Sequence, residues 1–148
     1  MARPSAGDLG KLPLFGGLAE DALRIFAEAA VEKTVAKGGA VFHESDVARD
    51  LYVLESGALE VIKHAREGDI TLWKIRTGES FGEMSLIDMQ PRSAAVIATA
   101  DSSVWCWSYA VFRERYIADG KCYTLLVMNI ARELSRRLRR ADDLLAAR

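Results

Sequence analysis

The residues best suited to chemistry in this 148-residue sequence are Glu83 and Arg92, which stand nine positions apart in a mostly apolar segment. An ionised carboxylate accepts hydrogen bonds from hydroxyl groups, whereas a guanidinium offers a rigid fork of donors that suits two phosphate oxygens. Gly82 allows a ligand to approach the backbone closely, and Pro91 fixes the turn that leads into Arg92. This pair of charges indicates a site for a small anion that carries hydroxyl groups.

The segment between the two charges predicts a short helix that faces the same ligand. Glu83 to Leu86 can begin such a helix, and the free N–H groups of a helix start attract phosphate. With the carboxylate assigned to sugar hydroxyls and the guanidinium to phosphate, a nucleotide is the ligand that fits. Taken singly, however, Glu83 is an ordinary acid at a helix start and Arg92 an ordinary surface ion-pair partner.

No other constellation in the sequence indicates catalysis or metal binding. Glu83 with Ser85 or Ser93 lacks a histidine base, and no paired carboxylates flank a cleft, so we expect no catalytic residues and no enzyme activity. The two histidines, His43 and His64, have no acidic cluster at ligand spacing beside them both. We therefore expect no metal site.

Composition indicates one small soluble domain spanning residues 1–148. Half of the residues are apolar, 28% are charged and the net charge is −1, so bulk electrostatics do not indicate DNA binding. Cys106 and Cys122 lack the spacing of a disulfide framework or a zinc site. No apolar stretch suits a leader or a membrane span. A reduced, cytoplasmic protein without membrane association is expected.

The hydrophobic period changes twice along the chain. Ala19 to Val31 has helical spacing, and helical spacing returns at Tyr109 to Ile117 and, past a break at Asp119-Gly120, at Lys121 to Ala147. Between them lie short β-rich runs at Val41-Phe42, Leu51–Leu54, Leu59–Ile62, Ile70–Ile75, Ala94–Ala98 and Val104–Trp107. The pattern predicts a helical part (1–33), a barrel, sandwich or roll (34–108) and C-terminal helices (109–148).

Three tryptophans, Trp73, Trp105 and Trp107, fall on the predicted strands. Aromatic bulk on a strand more often packs in a core than stacks on a bound base. We therefore assign all three to the core.

The last predicted helix carries a seam of residues at heptad spacing, namely Thr124, Val127, Ala131, Leu134, Leu138, Ala141 and Leu145. The seam either packs on the chain's own roll or pairs with a second subunit. Five arginines border it, and a narrow apolar strip with charged borders favours pairing, so we expect a homodimer. Acidic residues on the same helix offset part of the positive charge of the arginines, namely Glu133, Asp142 and Asp143. No second helix follows to complete a helix-turn-helix, so both observations argue against DNA binding.

The segment Phe81 to Val96 resembles the phosphate-binding cassette of the cyclic nucleotide-binding domain family. That cassette reads Phe-Gly-Glu, apolar, small, Leu, a variable turn, Pro-Arg, small, Ala, any, Val or Ile. Upstream matches are Leu12–Phe15, Gly38, Leu51–Leu54 and Gly57, so the resemblance covers roughly residues 12 to 140. It is similar to the sensor domains of bacterial catabolite activators and protein kinase A regulatory subunits, without a DNA-binding segment. The departures are Ser45, where the family usually has Gly, and Ala95, where many members have Thr or a larger residue.

The resemblance implies an α+β fold: an eight-stranded antiparallel β-roll, jelly-roll-like, flanked by N-terminal helices and a long C-terminal helix. The implied ligand is cAMP or cGMP, with no further cofactor. By carry-over, Glu83 holds the ribose 2′-hydroxyl, Arg92 pairs with the cyclic phosphate, and Gly82, Met84 and Ser85 supply backbone N–H groups. The remaining implied ligand-binding residues are Phe81, Ser93 and Ala94 in the cassette, Val61 and Leu72 along the purine, and Arg136, Arg137 or Leu138 over the base.

Two functions follow as hypotheses. The favoured one is a sensor that signals by rearranging its C-terminal helices, with cAMP preferred because Arg92-Ser93-Ala94 matches bacterial activators. The alternative is a non-binding scaffold or dimerisation module of the same fold. A non-binding descendant would have no need of a guanidinium facing a carboxylate, so Glu83 and Arg92 favour the sensor. The sequence contains no effector segment, so the downstream partner is unknown: a separate protein, or the rest of a longer product.

Overall fold

The computed structural model of the chain describes residues 3–147. It begins with helix α1 (Ala6–Gly10), a 3₁₀ turn (Pro13–Phe15) and helix α2 (Glu20–Ala29). Eight strands follow: β1 (Val31–Val35), β2 (Ala40–Phe42), β3 (Asp50–Ser56), β4 (Leu59–Ala65), β5 (Gly68–Ile75), β6 (Ser80–Phe81), β7 (Ala95–Ala98) and β8 (Ser102–Ser108). Helix α3 (Met84–Asp88) lies between β6 and β7, and α4 (Tyr109–Ala118) and α5 (Gly120–Ala146) complete the chain.

The strands form two antiparallel sheets of four. Their orders are β1-β8-β3-β6 and β2-β7-β4-β5, so strands distant in sequence are neighbours in space. Because each sheet buries one face against the other, the strands enclose a core between them. This architecture confirms the predicted α+β class, with an eight-stranded antiparallel roll between N-terminal helices and a long C-terminal helix.

Three element boundaries differ from the sequence prediction. Helix α2 ends at Ala29 because Ala30 adopts an extended conformation, and the roll begins at Val31 rather than at residue 34. Strand β1 contains Glu32 and Lys33 and has no apolar run, since it is specified by pairing with β8. Gly120 begins α5 instead of breaking the chain, because the Asp119 side chain caps the helix by accepting from the Cys122 N–H at 3.1 Å.

Two hydrophobic clusters hold the fold together. One joins the helices to the first sheet around Phe15, Phe26 and Trp107, whose indole N–H donates to the Phe26 carbonyl at 2.7 Å. The other fills the roll and includes Tyr52 and Phe81, whose rings stack 5.2 Å apart. The segment that joins β6 to β7 is anchored in the second cluster at both ends, through Phe81 and Val96.

Helix α5 packs on the body of the protein through its first half. Leu126, Asn129 and Ile130 are buried, and the Asn129 amide donates to the carbonyls of Leu14 (3.0 Å) and Gly16 (2.9 Å). The heptad seam lies on a neighbouring face of the helix, where Leu138 and Leu145 are each 64% exposed. Leu134 of the seam packs against the first hydrophobic cluster, so packing on the chain's own body leaves the far end of the seam, at Leu138 and Leu145, uncovered.

Within residues 3–147, no helix combines the length and the apolar character that a bilayer crossing requires.

Candidate nucleotide site

The cassette folds as strand β6, a turn at Gly82, helix α3 and a second turn into β7. Gly82 has a φ of 82°, and a Cβ on it would lie 2.9 Å from Arg92 Nη1. The glycine is therefore required by its left-handed backbone and by the guanidinium beside it, in addition to the ligand approach inferred from sequence. Met89, with a φ of 58°, ends α3 and turns the chain toward Pro91 and Arg92.

The side chain of Arg92 is 6% exposed and is held by polar groups on three elements. Its Nη1 donates to the Gly82 carbonyl at 2.9 Å and to the Tyr109 hydroxyl at 3.0 Å. Its Nη2 donates to the Asp50 carbonyl at 2.6 Å. The guanidinium carbon also lies 4.0 Å from the centroid of the Phe42 ring, a cation–π contact. Arg92 is thus a buried cation without an acidic partner among these contacts.

The backbone around Arg92 is fixed by the loop that precedes β3. The Arg92 N–H donates to the Asp46 carbonyl at 2.9 Å, and the Arg92 carbonyl accepts from the Ser45 N–H at 2.8 Å. Ser45 has a φ of 72°, which explains why the resemblance places Gly there and shows that serine keeps the same turn. Next to it, Lys63 Nζ donates to the Ser93 carbonyl at 2.6 Å.

The carboxylate of Glu83 is 2% exposed and only half satisfied. Its Oε1 accepts from Arg137 Nη1 at 2.7 Å, whereas its Oε2 has no hydrogen-bond partner in the described part of the chain. Burial raises the pKa of Glu83 above its ordinary value, and the Arg137 charge opposes that rise in part. One buried carboxylate oxygen is therefore available to a hydroxyl donor.

Helix α5 closes over the site through Arg137 and Arg140. Besides Glu83, Arg137 binds the Ser80 carbonyl, and its Nε lies 3.3 Å from Glu133 Oε1. The guanidinium carbons of Arg137 and Arg140 lie 5.1 Å and 4.1 Å from the centroid of the Trp73 ring. The far half of α5 is thus tied to the cassette and to β5 by arginine contacts.

These side chains surround a pocket of about 100 Å³ that is partly open to solvent. This volume is smaller than the roughly 300–1,000 Å³ of small-molecule sites, and the Arg137 side chain, bound to Glu83, is part of its wall. The pocket is lined by Phe42, Val61, Phe81, Gly82, Glu83, Met84, Ser85, Arg92, Ser93, Ala94, Val96 and Arg137. The structure therefore brings together ten of the thirteen ligand-binding residues named from sequence.

The other three residues named from sequence, Leu72, Arg136 and Leu138, lie outside this lining. Leu72 is 52% exposed, because its neighbour Trp73 pairs with Val61 and successive residues of a strand face opposite sides of the sheet. Arg136 faces solvent and pairs with Glu133 at 2.8 Å. Among the three residues considered for the position over the base, Arg137 is the one that reaches the pocket.

Sequence reasoning missed two residues of the pocket lining, Phe42 and Val96, and two residues that contact its arginines, Trp73 and Tyr109. Phe42 and Trp73 lie on strands whose alternation indicates a core role equally well. Tyr109 follows the helix cap Ser108 and is 17 positions from Arg92, so no local spacing signals the contact.

The arrangement is suited to recognition of an anion and of hydroxyl groups. The described residues 3–147 hold no group of three or more His, Cys, Asp or Glu side chains placed to bind a metal ion. The polar groups that meet in the pocket are one buried guanidinium, one buried carboxylate, the serines of the cassette and Arg137.

Comparison with known proteins agrees with this geometry. Residues 32–119 match the family model described as a cyclic nucleotide-binding domain. The chain is 36% identical over 131 residues to the cyclic AMP receptor protein of Thermus thermophilus, covering 88% of this chain and 59% of that protein. It is 38% identical over 106 residues to a cAMP-dependent protein kinase regulatory subunit of Blastocladiella emersonii, covering 71% of this chain and 26% of that subunit.

In structure, a cyclic nucleotide-binding domain from Methylobacillus flagellatus superposes with a TM-score of 0.84 at 24% identity, covering 94% of this chain and 79% of that one. That likeness concerns the fold alone. The chain spans less than two thirds of the length of these curated relatives, and the residues matched by the family model include the cassette. On the matched family model and these relatives, the chain belongs to the cyclic nucleotide-binding domain family.

Proposed function

We propose that this chain is a regulatory module that binds cyclic nucleotides, prefers cAMP to cGMP, and signals by rearranging its C-terminal helices. The observation that carries the proposal is a buried guanidinium, Arg92, in one pocket with a buried carboxylate, Glu83, that has a free oxygen. A buried guanidinium without an acidic partner and a buried carboxylate with one unsatisfied oxygen both reduce the stability of a fold, so we expect both groups to bind a ligand.

In the proposed complex, the cyclic phosphate binds Arg92 and the backbone N–H groups at the start of α3, from Gly82, Met84 and Ser85. A ribose hydroxyl donates to the free Oε2 of Glu83. The purine then lies toward Val61, with Arg137 over it. The preference for cAMP is supported by the match of Arg92-Ser93-Ala94 to bacterial activators and by two relatives, a cyclic AMP receptor protein and a cAMP-dependent protein kinase regulatory subunit. Ser93 suits either base.

The signal arises because Glu83 serves two partners. In the structure the Glu83 Oε1 accepts from Arg137 on α5, and in the proposed complex the same carboxylate also accepts from ribose. A ligand can shift the position of α5 only by its difference in affinity for the two arrangements. Because Arg137 and the ribose both bind Glu83, the ligand should bind with different affinity to the arrangement of α5 in which Arg137 contacts Glu83 and to one in which it does not.

The remaining features of the proposal concern location and partners. We propose a cytoplasmic protein that acts by binding rather than catalysis, forms a homodimer through the α5 seam, and passes its signal to a downstream protein. It has no role in membrane or DNA contact of its own.

Calorimetric titration of the parent chain and two variants with cAMP and cGMP tests the proposal. Arg92→Ala should weaken cAMP binding by about 2 to 5 kcal/mol, because it leaves a desolvated phosphate without its cation. Glu83→Ala should weaken cAMP binding less, because it removes only one or two charge-assisted hydrogen bonds.

The matched control is Arg66→Ala in the exposed turn between β4 and β5, which should bind as the parent does. An Arg92→Ala variant that titrates like the parent would refute the assignment of the phosphate. A cGMP preference above about tenfold would refute the base choice. A parent chain that binds neither nucleotide would favour the scaffold alternative.

A further inference from the structure

Tyr109 lies behind the proposed phosphate site, outside the cassette. It is the first residue of α4 and is 3% exposed. Its hydroxyl accepts from Arg92 Nη1 at 3.0 Å and donates to the Gly82 carbonyl at 2.5 Å. Because burial raises the pKa of Tyr109, the hydroxyl stays protonated and remains a donor at neutral pH. It therefore bridges the two cassette residues Gly82 and Arg92 from the α4 side.

The hydrogen bonds of Arg92 leave a defined part of its guanidinium free. An arginine side chain has five N–H donors. Both donors of Nη1 are used, by Gly82 and Tyr109, and one of Nη2 is used by Asp50. Within the described residues, the Nε–H and the second Nη2 donor have no protein partner. Two free donors match the two oxygens that a phosphate presents to an arginine.

We propose that Tyr109 is a positioning residue of the phosphate site, which fixes the rotation of the Arg92 guanidinium so that its two free donors stay turned toward the ligand. The proposal rests on the proposed function and deepens it. Without the hydroxyl, Nη1 keeps only the Gly82 carbonyl, and the guanidinium gains freedom that a phosphate must then remove. The same contact ties the phosphate arginine to the first turn of α4.

The first test is calorimetric titration of Tyr109→Phe with cAMP. This substitution removes one oxygen and keeps the ring in its buried position. We expect cAMP affinity to fall about 5- to 20-fold, less than the full value of a hydrogen bond to a charged group, because Tyr109 acts through Arg92 and does not bind the ligand itself. The matched control is Tyr116→Phe, on the same helix but 67% exposed, which should leave the affinity unchanged.

A second measurement follows the Nε–Hε signals of Arg92 and Arg137 by NMR in the ligand-free proteins. If Tyr109 positions Arg92, the Arg92 signal shifts or broadens in Tyr109→Phe while the Arg137 signal stays in place. An unchanged Arg92 signal or an unchanged cAMP affinity would overturn the proposal. Equal disturbance of both arginines would also overturn it, since Tyr109 would then support the fold in general.

The two measurements separate this inference from the proposed function. If the parent chain binds no cyclic nucleotide, the proposed function fails in the titration. The NMR comparison still decides whether Tyr109 sets the rotation of Arg92, because it needs no ligand.

Discussion

At the scale of single residues, the site combines two buried ionic groups that the fold treats differently. Arg92 is 6% exposed and has three hydrogen bonds and an aromatic ring around its charge. Glu83 is 2% exposed and has one cation, Arg137, with its second oxygen unpaired. Carbonyl dipoles stabilise the arginine, whereas burial disfavours the charged form of the glutamate. We therefore expect Glu83 to make the main contribution of the site to the pH dependence of the unfolding free energy when no ligand is added.

The sign of that dependence follows from the raised pKa of Glu83. Below the ordinary value of 4.5, the contribution of this group to stability is fully present, and it is lost as the pH rises through the folded-state pKa. Glu83→Gln removes the titration and keeps an acceptor for Arg137. In urea unfolding without ligand, we expect the unfolding free energy of the variant, relative to the parent, to increase from about pH 4.5 toward neutrality.

The control for this prediction is Glu114→Gln, an exposed glutamate on α4, whose difference from the parent should not show this rise. A difference between Glu83→Gln and the parent that is the same at every pH would contradict the assigned direction of the shift.

At the scale of elements, α5 consists of two halves held by different forces. The first half buries Leu126 and Ile130 and locks Asn129 to the carbonyls of Leu14 and Gly16. The second half is exposed from Leu138 onward, and its ties to the roll are the arginine contacts with Glu83, the Ser80 carbonyl and Trp73. Few buried apolar contacts mean a low local free energy of opening, so the second half is the part that can respond to a ligand.

Amide hydrogen exchange tests this division of α5. In ligand-free Arg137→Gln, which lacks the ion pair to Glu83, we expect faster exchange across 136–145 and unchanged exchange across 122–130. In the parent chain, cAMP should change protection between Ala131 and Leu145. Arg136→Gln, on the exposed side of the same turn, is the matched control. Unchanged protection in a chain that binds cAMP would leave α5 without a part in signalling.

At the scale of the whole molecule, the sequence predicts best what is local. The cassette keeps its residues within sixteen positions, so Gly82, Glu83 and Arg92 are identifiable without the fold. The sequence alone does not identify strand β1 or the contact of Tyr109 with Arg92, because both depend on contacts between distant segments of the chain. The exposure of Leu72 follows from the pairing of Val61 with Trp73 in the β4–β5 hairpin, a register that the sequence pattern alone does not reveal.

The α5 seam leads to a prediction about assembly. Leu138 and Leu145 are each 64% exposed on one face of a helix, at heptad spacing, and nothing else in residues 3–147 covers them. A second copy of the same helix would bury both and surround them with the bordering arginines and acids. We therefore expect the parent chain to sediment as a dimer at micromolar concentration.

Leu138→Asp should shift the chain toward monomer, with at least about a tenfold weaker dimer constant, since it places a carboxylate in an apolar seam. Ile117→Asp is the matched control, because Ile117 is an exposed apolar residue (87%) on α4, outside the seam, and should leave the dimer constant unchanged. By reciprocity, if cAMP changes the dimer constant of the parent, dimerisation changes cAMP affinity by the same factor. A parent chain that remains monomeric with and without cAMP would contradict pairing through the seam, and the signal would then have to pass from α5 to a different protein.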